Sequence, residues 1–305
     1  MRGYDVLVVG GGPGGLATAI FCAERGLSVA LFDGGALGGL LVTLFPEKMV
    51  TNYLGFPEGI KAEELAARLI SQAEEYDVEI LRERVLEITT EKVVKTEDGE
   101  YTGRAVVLAT GMRPRELGVP GEEQFVGRGV SYYIKDPGKF KSKKVLVVGG
   151  GDAAVECALQ LADIATVTLV HRRDKFRTHK KNVEALKKSN VEVLLNTELK
   201  EIKGFEKMEG VLLLNNNGEE KEMKVDEVVL ATGLVPNTDI FAKLGLNVDA
   251  DDRIVVDPQQ HTNIEGLFAV GDITSGSGSL ELIEVAIAQG AIAAHHIYLE
   301  LAEPY

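Results

Sequence analysis

Two stretches of the chain share one pattern of apolar and polar positions. From Tyr4 to Asp33 the chain reads "YDVLVVGGGPGGLATAIFCAERGLSVALFD", and from Lys143 to Arg173 it reads "KKVLVVGGGDAAVECALQLADIATVTLVHRR". Each begins with a short unbroken apolar run, turns through a glycine cluster, continues with helical spacing and ends in a second apolar run. Such runs, bounded by turn residues, predict strands buried on both faces. Each stretch therefore predicts strand, glycine turn, helix and strand. Three more buried strands follow from "VVLATGMRPR" (Val106 to Arg115), "VVLATGLVPN" (Val228 to Asn237) and "TNIEGLFAVGDIT" (Thr262 to Thr274). The segment 191–233 reads as shorter strands and turns. Strands alternating with helices predict parallel sheets covered on both faces. The expected fold is α/β, with two Rossmann-like, three-layer domains.

The glycine positions say what such domains would hold. Gly10, Gly12 and Gly15 form G-x-G-x-x-G directly after a strand. The first glycine permits a tight turn, the second lets backbone approach a pyrophosphate, and the third lets helix and strand pack closely. The helix start offers free N–H groups to phosphate. The next strand ends at Asp33, whose carboxylate can accept hydrogen bonds from ribose hydroxyls. The second unit has Gly149, Gly151 and Ala154, the alanine variant of the fingerprint. Its second strand ends in "HRRDKFR", giving His171, Arg172, Arg173 and Arg177. Guanidinium groups pair with a 2′-phosphate, which a carboxylate would repel, so this unit is expected to bind NADP(H). Two dinucleotide sites in one chain suggest FAD in the first and NADPH in the second. Gly271 and Asp272 end a later strand, where the Asp can bind a ribityl chain. A helix expected from near Leu280 would aim its positive end at the flavin.

Charge adds one feature. The 305 residues have a formal net charge of −14, which argues against nucleic acid as the main ligand. Yet Lys135 to Lys188 contains thirteen Lys and Arg against six Asp and Glu, so an anionic partner could be steered there. Only two cysteines occur, Cys22 and Cys157, which suits a reducing cytoplasm and rules out a disulfide framework. No apolar run reaches the ~18–20 residues that cross a bilayer, so no membrane span is expected and the start reads as a first strand. The five histidines and two cysteines lack the spacing of a metal site.

The order GxGxxG, ATG, GxGxxA, HRRxxxR, ATG, GD resembles the low-molecular-weight thioredoxin reductase group of flavoproteins along nearly the whole chain. That group includes thioredoxin reductases proper and ferredoxin/flavodoxin–NADP⁺ reductases on the same scaffold. Where the former carry two redox cysteines, this chain reads Tyr133-Ile134-Lys135-Asp136. Exchange with a disulfide needs an attacking and a resolving thiol, which these residues cannot supply. "LFPEKMVTNYLGFP", "HRRDKFRTHKKNVEAL" and "LIEVAIAQGAIAAHHI" resemble the ferredoxin reductase branch.

The resemblance implies an NADP(H)-binding domain at 118–244 inserted into a discontinuous FAD-binding domain at 1–117 and 245–305. The crossings would be Glu116 to Phe125 and Thr232 to Phe241. It implies FAD contacts from Gly10, Gly12, Pro13, Gly15, Asp33, Gly39, Asn52, Thr110, Gly111, Gly271, Asp272 and Gln289. For NADP it implies Gly149, Gly151, Asp152, Ala153, Ala154, His171, Arg172, Arg173, Arg177, Thr232 and Gly233. It also implies a homodimer. Tyr133, Lys135 and Asp136 are candidate neighbours of flavin or acceptor, against the simpler reading that they restore a turn. Two departures stand out. Leu40 replaces a Gln usual in the group, and the C-terminal extension of the ferredoxin branch is short here, with Tyr305 a frayed end. The expected activity is hydride transfer between NADPH and FAD, with electrons passed to a ferredoxin or flavodoxin. The alternatives are an NAD(P)H oxidase or diaphorase with a small-molecule acceptor, and a flavin- and nucleotide-binding regulator with little turnover.

Overall fold

Val6 to Val9 are apolar at every position, and all four are buried in the strand Arg2–Val9. Burial on both faces suits a central strand of a parallel sheet. Val29–Phe32 runs parallel on one side of it and Glu100–Leu108 on the other. The computed structural model in which these strands are seen describes residues 2–278 and 280–302; Tyr305 lies outside them. Two compact units result, Met1–Arg113 with Val235–Tyr305, and Pro114–Leu234. The divides fall before the expected 117/118 and 244/245. The second shift is the larger because Ile240, Phe241 and Leu244 pack into the first unit's core.

In the first unit the parallel strands run Val78–Leu81, Val29–Phe32, Arg2–Val9, Glu100–Leu108 and Leu267–Ala269. Glu100–Leu108 serves two arrangements. Its end, Val106 to Leu108, pairs in parallel with Leu267–Ala269, while its start pairs antiparallel with Val93–Thr96. Val6 and Val8 face a layer that includes Leu16 and Ala19 of the helix Pro13–Glu24, and Ala293 and Ile297 of the helix Ile283–Leu301. Leu7 and Val9 face the opposite layer with Val94, Tyr101 and Ile254. The alternation of side chains along the strand thus separates two cores. The two helices touch at glycine: a Cβ on Gly290 would lie 2.5 Å from the Gly14 carbonyl oxygen.

The second unit repeats the design. Its parallel order is Glu192–Leu195, Thr166–His171, Lys144–Val148, Glu227–Leu230 and Val130–Ser131. Val145 and Val147 pack with Ala154, Ala158 and Leu161 of the helix Asp152–Leu161. Leu146 and Val148 face an antiparallel sheet formed by Thr197–Gly204, Met208–Asn215 and Glu220–Met223. Both units are Rossmann-like α/β folds with a three-stranded antiparallel section. The final helix begins at Ile283 rather than near Leu280, after a 3₁₀ turn at 275–277.

Candidate dinucleotide-binding sites

In the first unit the glycine turn is dictated by close approach. Gly10 has φ +112°, and a Cβ there would lie 2.2 Å from the Ala109 carbonyl oxygen. A Cβ on Gly15 would lie 1.9 Å from the Gly10 oxygen. Gly12 differs, for its Cβ would meet nothing nearer than the Gly39 Cα at 4.0 Å. Backbone and open space therefore meet at Gly12, at the start of a helix whose N1 residue is Pro13. That combination fits a pyrophosphate. Asp33 Oδ2 accepts from the Gly11 N–H at 2.8 Å, and Oδ1 accepts from the Gly35 N–H at 2.8 Å. A carboxylate accepts more bonds than these two, so capacity remains for ribose hydroxyls. Thr110 Oγ1 donates to the Asn237 carbonyl, and the Asn237 N–H donates to the Gly111 carbonyl at 2.9 Å. Gln289 is buried; its Oε1 accepts from the Gly271 N–H at 2.7 Å and its Nε2 donates to Thr274 Oγ1. Asp272 follows directly. Burial, aided by Glu281 and opposed by Arg253, pushes its carboxyl up to about 6. Asn52 lies exposed in a bend, and no hydrogen bond among the described residues ties it to this cluster.

In the second unit Gly149 reproduces Gly10. Its N–H donates to the Val170 carbonyl, as that of Gly10 does to Phe32, and its Cβ would lie 2.2 Å from the Ala231 oxygen. Gly151 is open like Gly12. Ala154 is fully buried beneath the turn, with Ala153 beside it in the same helix. The loop after the strand folds back, and the Arg177 N–H donates to the Gly150 carbonyl at 2.7 Å. Arg172, Arg173 and Arg177 are exposed, whereas His171 is buried. The His171 ring stacks on Phe176 with centroids 5.4 Å apart, and its Nε2 meets the Lys175 carbonyl at 3.1 Å. Burial, opposed by the bond to the Lys175 carbonyl and aided by Arg173, Arg172 and Arg177, lowers its pKa. Asp152 fastens the loop: Oδ1 accepts from Thr178 Oγ1, the His179 N–H and Asn182 Nδ2. These bonds, Thr178's first, hold its carboxyl below the ordinary value. Thr232 Oγ1 donates to the Arg115 carbonyl, and Gly233 accepts from the Arg115 N–H.

A family model described as pyridine nucleotide-disulphide oxidoreductase matches residues 4–290. The chain belongs to that family. Among curated relatives, a ferredoxin–NADP reductase of Metallosphaera sedula is 42% identical over 96% of this chain and 92% of its own. One from Thermus thermophilus is 38% identical over 96% and 91%. Among solved structures, a Lactococcus lactis thioredoxin reductase superposes with a TM-score of 0.86 at 34% identity, covering 98% of this chain and 100% of its own. A T. acidophilum thioredoxin reductase gives 0.84 at 33%, covering 98% and 99%.

The family name includes disulphide chemistry; at the expected dithiol position the chain reads Tyr133-Ile134-Lys135-Asp136. Asp136 Oδ1 accepts from the Gly138 N–H at 2.9 Å and caps the 3₁₀ turn Pro137–Phe140. Tyr133 is half-buried and Lys135 exposed. Cys22 is buried, which pushes its thiol up to about 12, and Cys157 is half-buried. Among the described residues no group of three or more His, Cys, Asp or Glu is placed to hold a metal ion, and no helix is long and apolar enough to cross a membrane. Three features escaped the sequence reading. The Asp152–Thr178–Asn182 web had a signal in "RTHKKN", polar residues directly after the arginines. Arg253 and Glu281 had none, since nothing in the spacing joins them.

Proposed function

We propose that the chain is an FAD-dependent oxidoreductase that transfers hydride between NADPH and flavin and passes electrons to a ferredoxin-type carrier. The observation that carries this reading is the pair of glycine turns, one closed by Asp33 and the other followed by three exposed arginines. The relatives named ferredoxin–NADP reductase, at 35–42% identity, support the acceptor class. The sequence supports it as well, because Cys22 and Cys157 form no C-x-x-C pair. A thiol held near 12 is not an attacking thiolate.

In this reading the first unit holds FAD and the second NADP(H). Gly12, Pro13 and the helix start hold the FAD pyrophosphate, Asp33 a ribose, and Asp272 the flavin half. Gln289 positions Gly271. Gly151 and the start of the helix Asp152–Leu161 hold the NADP pyrophosphate, while Arg172, Arg173 and Arg177 clamp the 2′-phosphate. When bound, the two cofactors supply the hydride chemistry; the protein supplies position and charge. The basic stretch 135–188 would steer an acidic carrier. A homodimer working in the cytoplasm completes the proposal, supported by the family resemblance and the paucity of cysteine.

Anaerobic stopped-flow reduction of the yellow protein tests it. NADPH should bleach the flavin band much faster than NADH, and the reduced protein should then reduce ferredoxin. A flavin that neither nucleotide bleaches would refute the reading.

A further inference from the structure

The first unit contains a buried cation with unmade bonds. The Arg253 side chain is 9% exposed. Its Nη2 donates to Glu281 Oε1 at 2.5 Å, but Nε and Nη1 are buried and find no acceptor among the described residues. Burying a charged group without its hydrogen bonds is costly, so each such group calls for an explanation. Its neighbours suggest one. Arg253 immediately precedes Ile254, whose N–H donates to the Ile273 carbonyl and whose carbonyl accepts from the Ser275 N–H. It thus lies beside the segment that begins with Gly271 and Asp272, and its charge acts on the Asp272 carboxyl. Glu281, which holds its far end, sits two residues before the final helix. Ser277, on the turn between them, has a buried hydroxyl also without a partner. Two unmade donors on Arg253 and one hydroxyl on Ser277 therefore lie beside and on the segment assigned above to the flavin half of FAD.

We infer that Arg253 is an FAD-recognition residue: Glu281 fixes its guanidinium so that Nε and Nη1 donate to an acceptor oxygen on the flavin half of the nucleotide, next to Asp272. The inference rests on the FAD assignment of the first unit. Arginine suits the task because its planar fork offers several donors from one fixed orientation, which lysine cannot. Nε and Nη1 make no bond among the described residues, so replacing Arg253 and Glu281 together by apolar chains should not weaken the fold.

The test is FAD titration of the full-length apoprotein, followed by flavin fluorescence, together with thermal unfolding of the apoprotein. Arg253→Met should weaken FAD binding by about tenfold or more, the usual range for bonds to a charged donor. The unfolding temperature of the apoprotein should hold or rise in the double variant Arg253→Met/Glu281→Met, which leaves no partnerless charge. Arg253→Lys, which keeps the charge and loses the fork, should recover only part of the affinity. ADP, which lacks the flavin half, should bind wild type and variant alike. Should Arg253→Met fail to fold, the double variant Arg253→Met/Glu281→Met removes both charges and serves in its place. FAD affinity within about twofold of wild type, with a lower unfolding temperature, would make Arg253 a structural residue only and overturn the inference, as would an equal loss of ADP binding. A wild-type chain that binds no FAD refutes the functional reading itself; an indifferent variant of an FAD-binding chain refutes only this step.

Discussion

The two glycine turns occupy the same register and make opposite use of it. Val9 pairs with Phe32 in the first unit and Val148 with Val170 in the second, so Asp33 and His171 are equivalent positions. Each side chain lies against the middle residue of its glycine triplet. A Cβ on Gly11 would come within 2.8 Å of Asp33 Oδ2, and one on Gly150 within 2.0 Å of the His171 ring. The fingerprint leaves this middle position free, yet in both units side chains crowd it: Leu37 at 2.5 Å with Asp33 behind it in the first, His171 in the second. The first unit places an acceptor at that point. The second places the His171 ring there and carries its charge on the exposed Arg172, Arg173 and Arg177. The cradle is shared; the charge changes sign at and just after the strand end.

The largest test of the shared cradle is at the third position. Gly15→Ala would put a Cβ 1.9 Å from the Gly10 oxygen. The turn or the helix must then move, at a cost of about 3 kcal/mol or more, and the purified protein should lack flavin colour. The reverse change, Ala154→Gly, relieves nothing and should cost about 1 kcal/mol of helix stability, leaving NADPH binding in place. Equal, small losses of thermal stability in both variants would show that the two turns do not share one constraint.

Coenzyme choice comes next. Each Arg–phosphate bond contributes about 1.5–3 kcal/mol. Arg172→Ala with Arg173→Ala should therefore cut the preference for NADPH over NADH by about a hundredfold or more, read as the ratio of kcat/KM values. Reduction by NADH should hardly change. An unaltered preference would remove the arginines from the site. Smaller again is Asp33→Ala, which frees the Gly11 and Gly35 N–H groups. FAD affinity should fall by about ten- to thirtyfold, with NADPH affinity untouched.

These contrasts also separate what the chain discloses from what it hides. The parallel sheets, both turns and the buried alanine at 154 follow from local order: an apolar run, glycines at fixed spacing, then helical period. Asp33 and the arginines are legible for the same reason, since each directly follows a strand. The divide after Leu234 was harder to read, because Phe241 belongs to the first core only through packing with residues far away in sequence. His171 shows another limit. The resemblance places it among the NADP residues, but its burial and its stacking on Phe176 are not visible in spacing. Arg253 and Glu281 meet only because two loop segments far apart in sequence converge. Long-range pairs of this kind leave no periodic trace.

The smallest effect gives a clean sign test, for the two units contain histidines displaced in opposite directions. Burial and the neighbouring arginines lower the pKa of His171. The unfolded chain therefore binds the proton more readily, and the stability His171 confers is present above its ordinary value and lost as pH falls below it. For His261, burial works downward but is outweighed by Glu300 at 2.5 Å and Asp257 at 3.1 Å, so its pKa is raised. Its contribution is complete below the ordinary value and lost as pH rises through the folded-state value. Unfolding measured at about pH 5.5 and about pH 8, on either side of the ordinary value near 6.5, should separate them. The penalty of His171→Gln should shrink toward acid, and that of His261→Gln should shrink toward base. The pair on His261 is at the surface, so its share should stay below about 1 kcal/mol. Parallel pH profiles for the two variants would mean that one ring is not held as its surroundings imply. The His171 assignment would be the first to abandon, because its burial, with Phe176 stacked on the ring, is what displaces its pKa downward.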